Sequence, residues 1–283
     1  MTGAFDALAH EIKDLANGET VLLLTNRGNY GDSLIRVGAE EFLRFHQIPY
    51  RLLPRKKLEK GQTTLERECA IIRNKDPLLL LLTAGVLSGH YGGMDQLVTL
   101  TNSVSRSLFM PSTYSDKLDY SSLAKTSVFY ARDKAESMQT IAHAKFCHDM
   151  AFFLELTPRR PGRGTGYFFR TDVERNDLIP LPAGNVDISR KGKTASNPAR
   201  FISMIEKVEI LHTNRLHVAI AGAILGREVH LYPNDYFKIR AMYDASLAPY
   251  YPNVFFHDPE DFQAPVSTSL VEPLMHLFRR RRS

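Results

Sequence analysis

Short runs of unbroken apolar residues alternate along this chain with segments whose apolar positions recur every three or four residues. The first run, Thr20-Val-Leu-Leu-Leu-Thr25, has the pattern of a strand buried on both faces of a parallel sheet. A Gly/Asn-rich turn follows, Asn26 to Asp32. Ser33–His46 then sets Leu34, Ile35, Gly38, Phe42 and Phe45 at helical spacing, with Asp32 as the expected N-cap. Tyr50–Leu53 and Leu78–Thr83 read as further strands, the second leading into a glycine-rich loop, Ala84–Gly93. Val128–Ala131 reads as a strand, followed by a helix near Lys134–Phe146. Strands alternating with helices imply a parallel sheet with right-handed crossovers.

The segment Thr157-Pro-Arg-Arg-Pro-Gly-Arg-Gly-Thr165 cannot pack as a core element and marks the expected boundary. A second α/β set follows it. Gly166–Arg170, Val208–Leu211 and Val229–Tyr232 read as strands. Asn197–Ile205, Arg215–Leu225 and Asp235–Ser246 read as helices, and the polar, Pro/Gly-containing stretch Asp172–Thr194 as a long loop. The expected organisation is therefore a first α/β domain over residues 1–156, a linker over 157–165 and a second over 166–283. Their ligand cleft would lie beyond the carboxyl ends of the strands.

Composition narrows the classes. The 283 residues are 43% hydrophobic and 24% charged, the mix of a globular protein. The net charge of +5 is mostly local: without the four arginines Arg279–Arg282, 32 basic side chains face 31 acidic ones. A near-neutral body lacks the basic stripe of a nucleic-acid-binding fold, so no nucleic-acid partner is expected. Basic residues cluster at Arg51–Lys60, Arg159–Arg163 and Arg279–Arg282. The last cluster follows a short apolar stretch, which raises two alternatives: a solvated terminus, or a weak, salt-sensitive contact with an anionic inner-membrane surface. Cys69 and Cys147 form no CxxC pair, and the longest apolar run, Pro77–Leu82, is far below the ~20 residues that span a bilayer. No signal-peptide pattern opens the chain, and a cytoplasmic location is expected.

Four constellations could carry chemistry. Gly28-Asn29-Tyr30-Gly31-Asp32 joins a buried strand to a helix start, a place for an anionic or polyhydroxylated ligand, or simply a capped turn. His212-Thr213-Asn214-Arg215-Leu216-His217 sits at a second strand-to-helix junction. There an arginine can fork onto a phosphate or carboxylate and a histidine can move protons; the alternative is a structural ion pair and a packed ring. Arg132-Asp133 ends another strand, either facing the cleft or pairing at the surface. His90 lies on the glycine-rich loop. His143, Cys147, His148 and Asp149 are metal-like in type but show no ligand spacing such as HExxH, so no metal is expected. Ser88 lacks a GxSxG context.

Taken in order, these motifs resemble the polysaccharide pyruvyl transferase family. Its Gly-Asn-x-Gly-Asp signature is similar to residues 28–32, its internal Arg-Asp element to Arg132-Asp133, and its Asp-x-Ala-Phe stretch to Asp149-Met150-Ala151-Phe152. Its Thr-x-Arg-Leu-His motif is similar to Thr213–His217, and a Tyr-x-Lys-Ile context to Tyr236–Ile239. The chain reads Thr83-Ala84-Gly85 where many members carry three glycines. The resemblance, spanning about residues 20 to 245, implies two Rossmann-like domains in a glycosyltransferase-B-like arrangement with an interdomain cleft. It implies transfer of a pyruvyl group from phosphoenolpyruvate to a sugar of an exopolysaccharide or its lipid-linked precursor as a ketal, with no other cofactor. On that reading Arg132, Asn214, Arg215, Leu216 and His217 bind the donor, Arg215 and His217 are catalytic, and Asn29, Asp32 and His90 meet the acceptor. Two rivals share the architecture: a nucleotide-sugar glycosyltransferase and a non-catalytic carbohydrate-binding member.

Overall fold

The computed structural model describes residues 1–83, Leu87 and 93–263. His90, Ser88 and Arg279–Arg282 lie outside the described residues.

The first half contains α1 (Thr2–Ala16), β1 (Val21–Thr25), α2 (Tyr30–Phe45), β2 (Tyr50–Pro54), α3 (Arg55–Glu59), α4 (Leu65–Ile72) and β3 (Leu79–Leu82). It continues with α5 (Met94–Asn102), β4 (Ser107–Ser112), β5 (Ser127–Ala131), α6 (Glu136–Thr140) and β6 (Lys145–Phe146). The second contains β7 (Thr165–Tyr167), α7 (Ala199–Glu206), β8 (Ile210–Thr213), α8 (Leu216–Ile224), β9 (Glu228–Leu231), α9 (Lys238–Met242) and β10 (Val254–Phe256).

All neighbouring strands are parallel. One sheet has the order β2-β1-β3-β4-β5-β6 and the other β10-β9-β8-β7. The unbroken leucine runs of β1 and β3 are buried along their whole length, as expected of central parallel strands. Strand β4 escapes the apolar-run reading because Ser107-Leu-Phe-Met-Pro-Ser112 begins and ends polar. Those ends are buried yet satisfied: Ser107 Oγ lies 2.8 Å from Ser127 Oγ, and Ser112 Oγ 2.6 Å from Thr83 Oγ1. The helix expected near Lys134–Phe146 is a single turn, α6, and the chain then joins the sheet edge as β6. Its apolar positions, Ile141, Ala144 and Cys147, are buried without helical backbone. Residues 172–194 form the long connection expected, with one short 3-10 turn at Ile188–Lys191.

The two sheets share apolar packing. One continuous cluster runs from Phe5 and Leu8 on α1 through Leu34, Phe42 and Leu43 on α2 to Val218 and Ile220 on α8 and Leu211 and Val229 of the second sheet. Burying each such side chain contributes ~1.5–3 kcal/mol. Within the first half, α2 approaches the turn at Met150 closely enough to require a glycine: a Cβ at Gly38 would lie 2.0 Å from the Met150 carbonyl oxygen. Residues of both halves line one cleft. No helix among the described residues is long and apolar enough to cross a membrane.

Candidate functional site

The loop between β1 and α2 is built by its own side chains. Helix α2 begins at Tyr30, with Asn29 as N-cap, so the cap lies three residues earlier than the expected Asp32. Asn29 Oδ1 accepts the Gly31 N–H at 2.7 Å, and Asp32 Oδ2 accepts the Asn29 N–H at 2.8 Å, a reciprocal capping box. The two glycines of the motif make room for side chains. A Cβ on Gly28 would lie 2.0 Å from Asp32 Oδ2, and one on Gly31 would lie 2.5 Å from His217 Nδ1. The first motif therefore abuts the Thr-Asn-Arg-Leu-His motif, 185 residues later in the chain, through a glycine.

His217 stands in the first turn of α8. Its Nε2 is buried without a hydrogen-bond partner, 3.5 Å from Asp149 Oδ2. Asp149 is fully buried; its Oδ1 accepts the Ala151 N–H at 2.9 Å, and its Oδ2 accepts from Arg132 Nη1. Arg132, 1% exposed, also donates from Nε to Thr113 Oγ1 at 2.8 Å. Burial alone would raise the pKa of Asp149, but His217, Arg132 and the Ala151 N–H outweigh it and hold the carboxyl well below the usual range. Asp32 goes the other way. Burial pushes it up, and the Asn29 N–H, His217 and Arg132 only partly offset that.

Arg215 forms a second charged cluster. Its Nε donates to Asp187 Oδ1 at 3.0 Å, and Nη2 donates to Asp187 Oδ2 and, at 2.7 Å, to Asp172 Oδ2. Arg170 donates to Asp172 Oδ1 at 2.8 Å and Glu174 Oε2 at 2.6 Å. Lys238 Nζ also reaches Glu174 Oε2 and lies over the Tyr236 ring, 4.8 Å from its centroid. Burial lowers the Lys238 ammonium to about 8, Glu174 opposing the shift and Arg170 adding to it. Three cations and three carboxylates thus interlock at the carboxyl end of the second sheet. Arg215 Nη1 has no hydrogen-bond partner among the described residues.

Both clusters open on one cleft of ≈550 Å³. Of the residues expected from sequence, Asn29, Asp32, Arg132, Arg215, Leu216 and His217 line it. Asn214 does not line it. It is buried behind the wall, where its Oδ1 accepts the Arg170 N–H at 2.8 Å and so positions Arg170. Arg27, Arg55, Arg170, Asp172, Glu174 and Lys238 line the cleft and were not assigned from sequence. Arg170 carried a usable signal, a basic side chain ending a predicted strand; Arg55 lies in the basic cluster Arg51–Lys60, which by sequence could flank a cleft but does not single out one residue. Arg55 is in fact buried, donating to Asn26 Oδ1 at 3.3 Å and the Gly93 carbonyl at 3.2 Å. The metal-like set separates: His148 Nδ1 meets Ser246 Oγ at 2.8 Å, His143 packs on Phe129, and Asp149 belongs to Arg132.

No family model and no curated protein matches the chain. Among solved structures it is similar to the crystal structure of an uncharacterized protein from Klebsiella pneumoniae subsp. pneumoniae NTUH-K2044. The two share 24% identity and superpose with a TM-score of 0.73, over 91% of this chain and 99% of that one. At that identity the likeness shows the fold alone, a mixed α/β architecture of parallel sheets.

Proposed function

We propose that this protein transfers the pyruvyl group of phosphoenolpyruvate to two hydroxyls of a saccharide, forming a ketal. We further propose that its halves are two Rossmann-like domains in a glycosyltransferase-B-like arrangement. One observation carries the reading: Arg132, Arg170, Arg215 and Lys238 converge with His217 on a single cleft. Phosphoenolpyruvate carries a phosphate and a carboxylate, and guanidinium groups bind such anions through paired N–H donors. Arg215 would use its unengaged Nη1 and exchange contacts to Asp172 for the ligand. Asp187, holding both Nε and Nη2, keeps the guanidinium in place.

The chemistry balances as follows. The methylene carbon takes a proton, C2 becomes electrophilic, and a sugar hydroxyl attacks it and loses its proton. The C2–O bond to phosphate then breaks, and the second hydroxyl closes the ring at C2, its proton passing to the departing phosphate. His217 is placed for the proton transfers, with Asp149 ionised 3.5 Å from its Nε2 to stabilise the imidazolium. Asn29 and Asp32 face the acceptor across the cleft.

Thermal-shift measurements with phosphoenolpyruvate, nucleotide sugars and oligosaccharides test the assignment, followed by phosphate release and the mass gain of a pyruvyl group on the acceptor. Stabilisation by phosphoenolpyruvate and not by nucleotide sugars is expected; the reverse overturns the reading. A pH dependence follows from Lys238. Its ammonium, near 8 in the free protein, is favoured by a bound anion. The dissociation constant for phosphoenolpyruvate therefore stays flat below about pH 8 and rises by up to about tenfold per pH unit above it. Lys238→Met, which cannot titrate, removes that rise in a titration series from pH 6.5 to 9.5.

Gly31 gives a sharper test of geometry. Alanine is the better helix former by ~1 kcal/mol, but here its Cβ would lie 2.5 Å from His217 Nδ1 and force the ring to shift. Gly31→Ala is expected to leave the melting temperature within a few degrees while lowering phosphate release about 100-fold, the cost of a reacting group misplaced by ~1 Å. Unchanged turnover would show that the ring is not needed where it stands.

A further inference from the structure

A second and larger cavity, ≈770 Å³, adjoins the cleft and shares Arg27 and Gly28 with it. Its charge is one-sided. Lys56, Lys57 and Lys60 rise from α3 and the turn after it, Lys193 comes from the long connection of the second half, and no carboxylate lines the groove. Among the described residues none of these four ammonium groups lies within ion-pair distance of a carboxylate, whereas the arginines of the neighbouring cleft are interlocked with acidic partners. Four ammonium groups around one concavity raise the local potential and attract polyanions.

The wall of the groove is fixed where the two halves meet. The Thr194 backbone is pinned on both sides: the N–H donates to the Gly28 carbonyl at 3.3 Å, and the carbonyl accepts from Arg36 Nε at 2.9 Å. Lys193 is thereby held on the groove opposite the lysines of α3.

From these observations we infer that the groove is a second anion site, separate from the cleft, for a diphosphate-class ligand. A diphosphate group carries a charge of about −2 to −3 near neutral pH, which four ammonium groups can balance. The volume falls in the range of ligand pockets rather than of single-ion sites. The diphosphate could be a free ion or the linking group of a larger molecule reaching into the cleft at Arg27. The inference does not rest on the donor assignment, because the test involves no turnover.

The test is calorimetric titration of the full chain with inorganic pyrophosphate at two salt concentrations. Binding is expected to persist in Arg132→Ala, with the native fold of that variant verified by circular dichroism, and to weaken at least tenfold in the triple variant Lys57→Gln, Lys60→Gln, Lys193→Gln. A control triple, Lys117→Gln, Lys125→Gln, Lys207→Gln, leaves affinity within twofold. A glycosyl diphosphate that binds tenfold or more tighter than pyrophosphate, with the gain lost in Arg132→Ala, identifies a linking group; equal affinity identifies the free ion. Absence of binding overturns the inference. So does binding lost in Arg132→Ala but kept in the groove triple, or equal weakening by both triples, which would be diffuse surface charge.

Discussion

Asp149→Asn lowers the free energy of unfolding by about 3–5 kcal/mol, the range for breaking a buried ion pair by removing one partner. Asparagine preserves size and can still accept the Ala151 N–H. It cannot balance the guanidinium of Arg132, which is 1% exposed and would then carry its charge uncompensated among buried atoms. The imidazole of His217 loses its acidic neighbour in the same step. Urea denaturation at neutral pH measures the effect, and a loss under 1 kcal/mol would refute it. The double variant Arg132→Met, Asp149→Leu recovers most of the stability, since an apolar pair of similar volume replaces the charged one without an orphan. The pH dependence has a definite sign. Asp149 is held below its unfolded range, so its contribution is complete above about pH 4, the unfolded value, and declines as pH falls further. The Asn variant lacks that part of the acid limb.

His217→Ala lowers kcat for phosphate release from phosphoenolpyruvate by about 10²–10⁴-fold, the usual worth of a positioned general acid or base. KM changes much less, because in the proposed reaction the donor's two anionic groups would be held by Arg132, Arg170, Arg215 and Lys238, which line the cleft. The contrast with Arg215→Ala is informative. Removing Arg215 leaves Asp187 buried without its cation and damages both binding and folding, so KM rises and the melting temperature falls. A histidine variant with wild-type kcat would sink the proton-transfer role. A histidine variant that loses binding but not kcat would move His217 into the anion-binding set. Because Gly31 fixes where the ring stands, His217→Ala combined with Gly31→Ala costs little more than His217→Ala alone, a non-additivity expected of groups that share one function.

Much of the framework was legible because it is local. Unbroken leucine runs become central parallel strands wherever both faces are covered, and β1 and β3 lie where the runs stand. The Arg215–Leu225 helix is observed as α8, since its small and apolar residues suit a helix buried all round. Errors arose where local pattern and tertiary context disagree. The stretch after Asp133 has apolar positions compatible with a helix, yet the sheet edge offers β5 a parallel partner, and Lys145–Phe146 takes it. The chain enters α2 at Tyr30 rather than Ser33 because Asn29 and Asp32 cap each other. A sequence shows that both can cap and does not rank them.

The same division runs through the site. Residue types and order along the chain already marked Gly28–Asp32, Arg132 and Asn214–His217 as the places where strands deliver polar groups. Strand-to-helix junctions in a parallel sheet all open on one side, and that much is a property of sequence alone. Which side chains meet there was decided by tertiary structure. Asp149 couples Arg132 to His217, Glu174 draws Arg170 to Lys238, and Arg215 is shared by two aspartates, all across separations the sequence does not encode. The physical reason is that burial makes an unpaired charge costly. Each cation the fold carries inward must find its carboxylate, and only the packed geometry says which one is within reach.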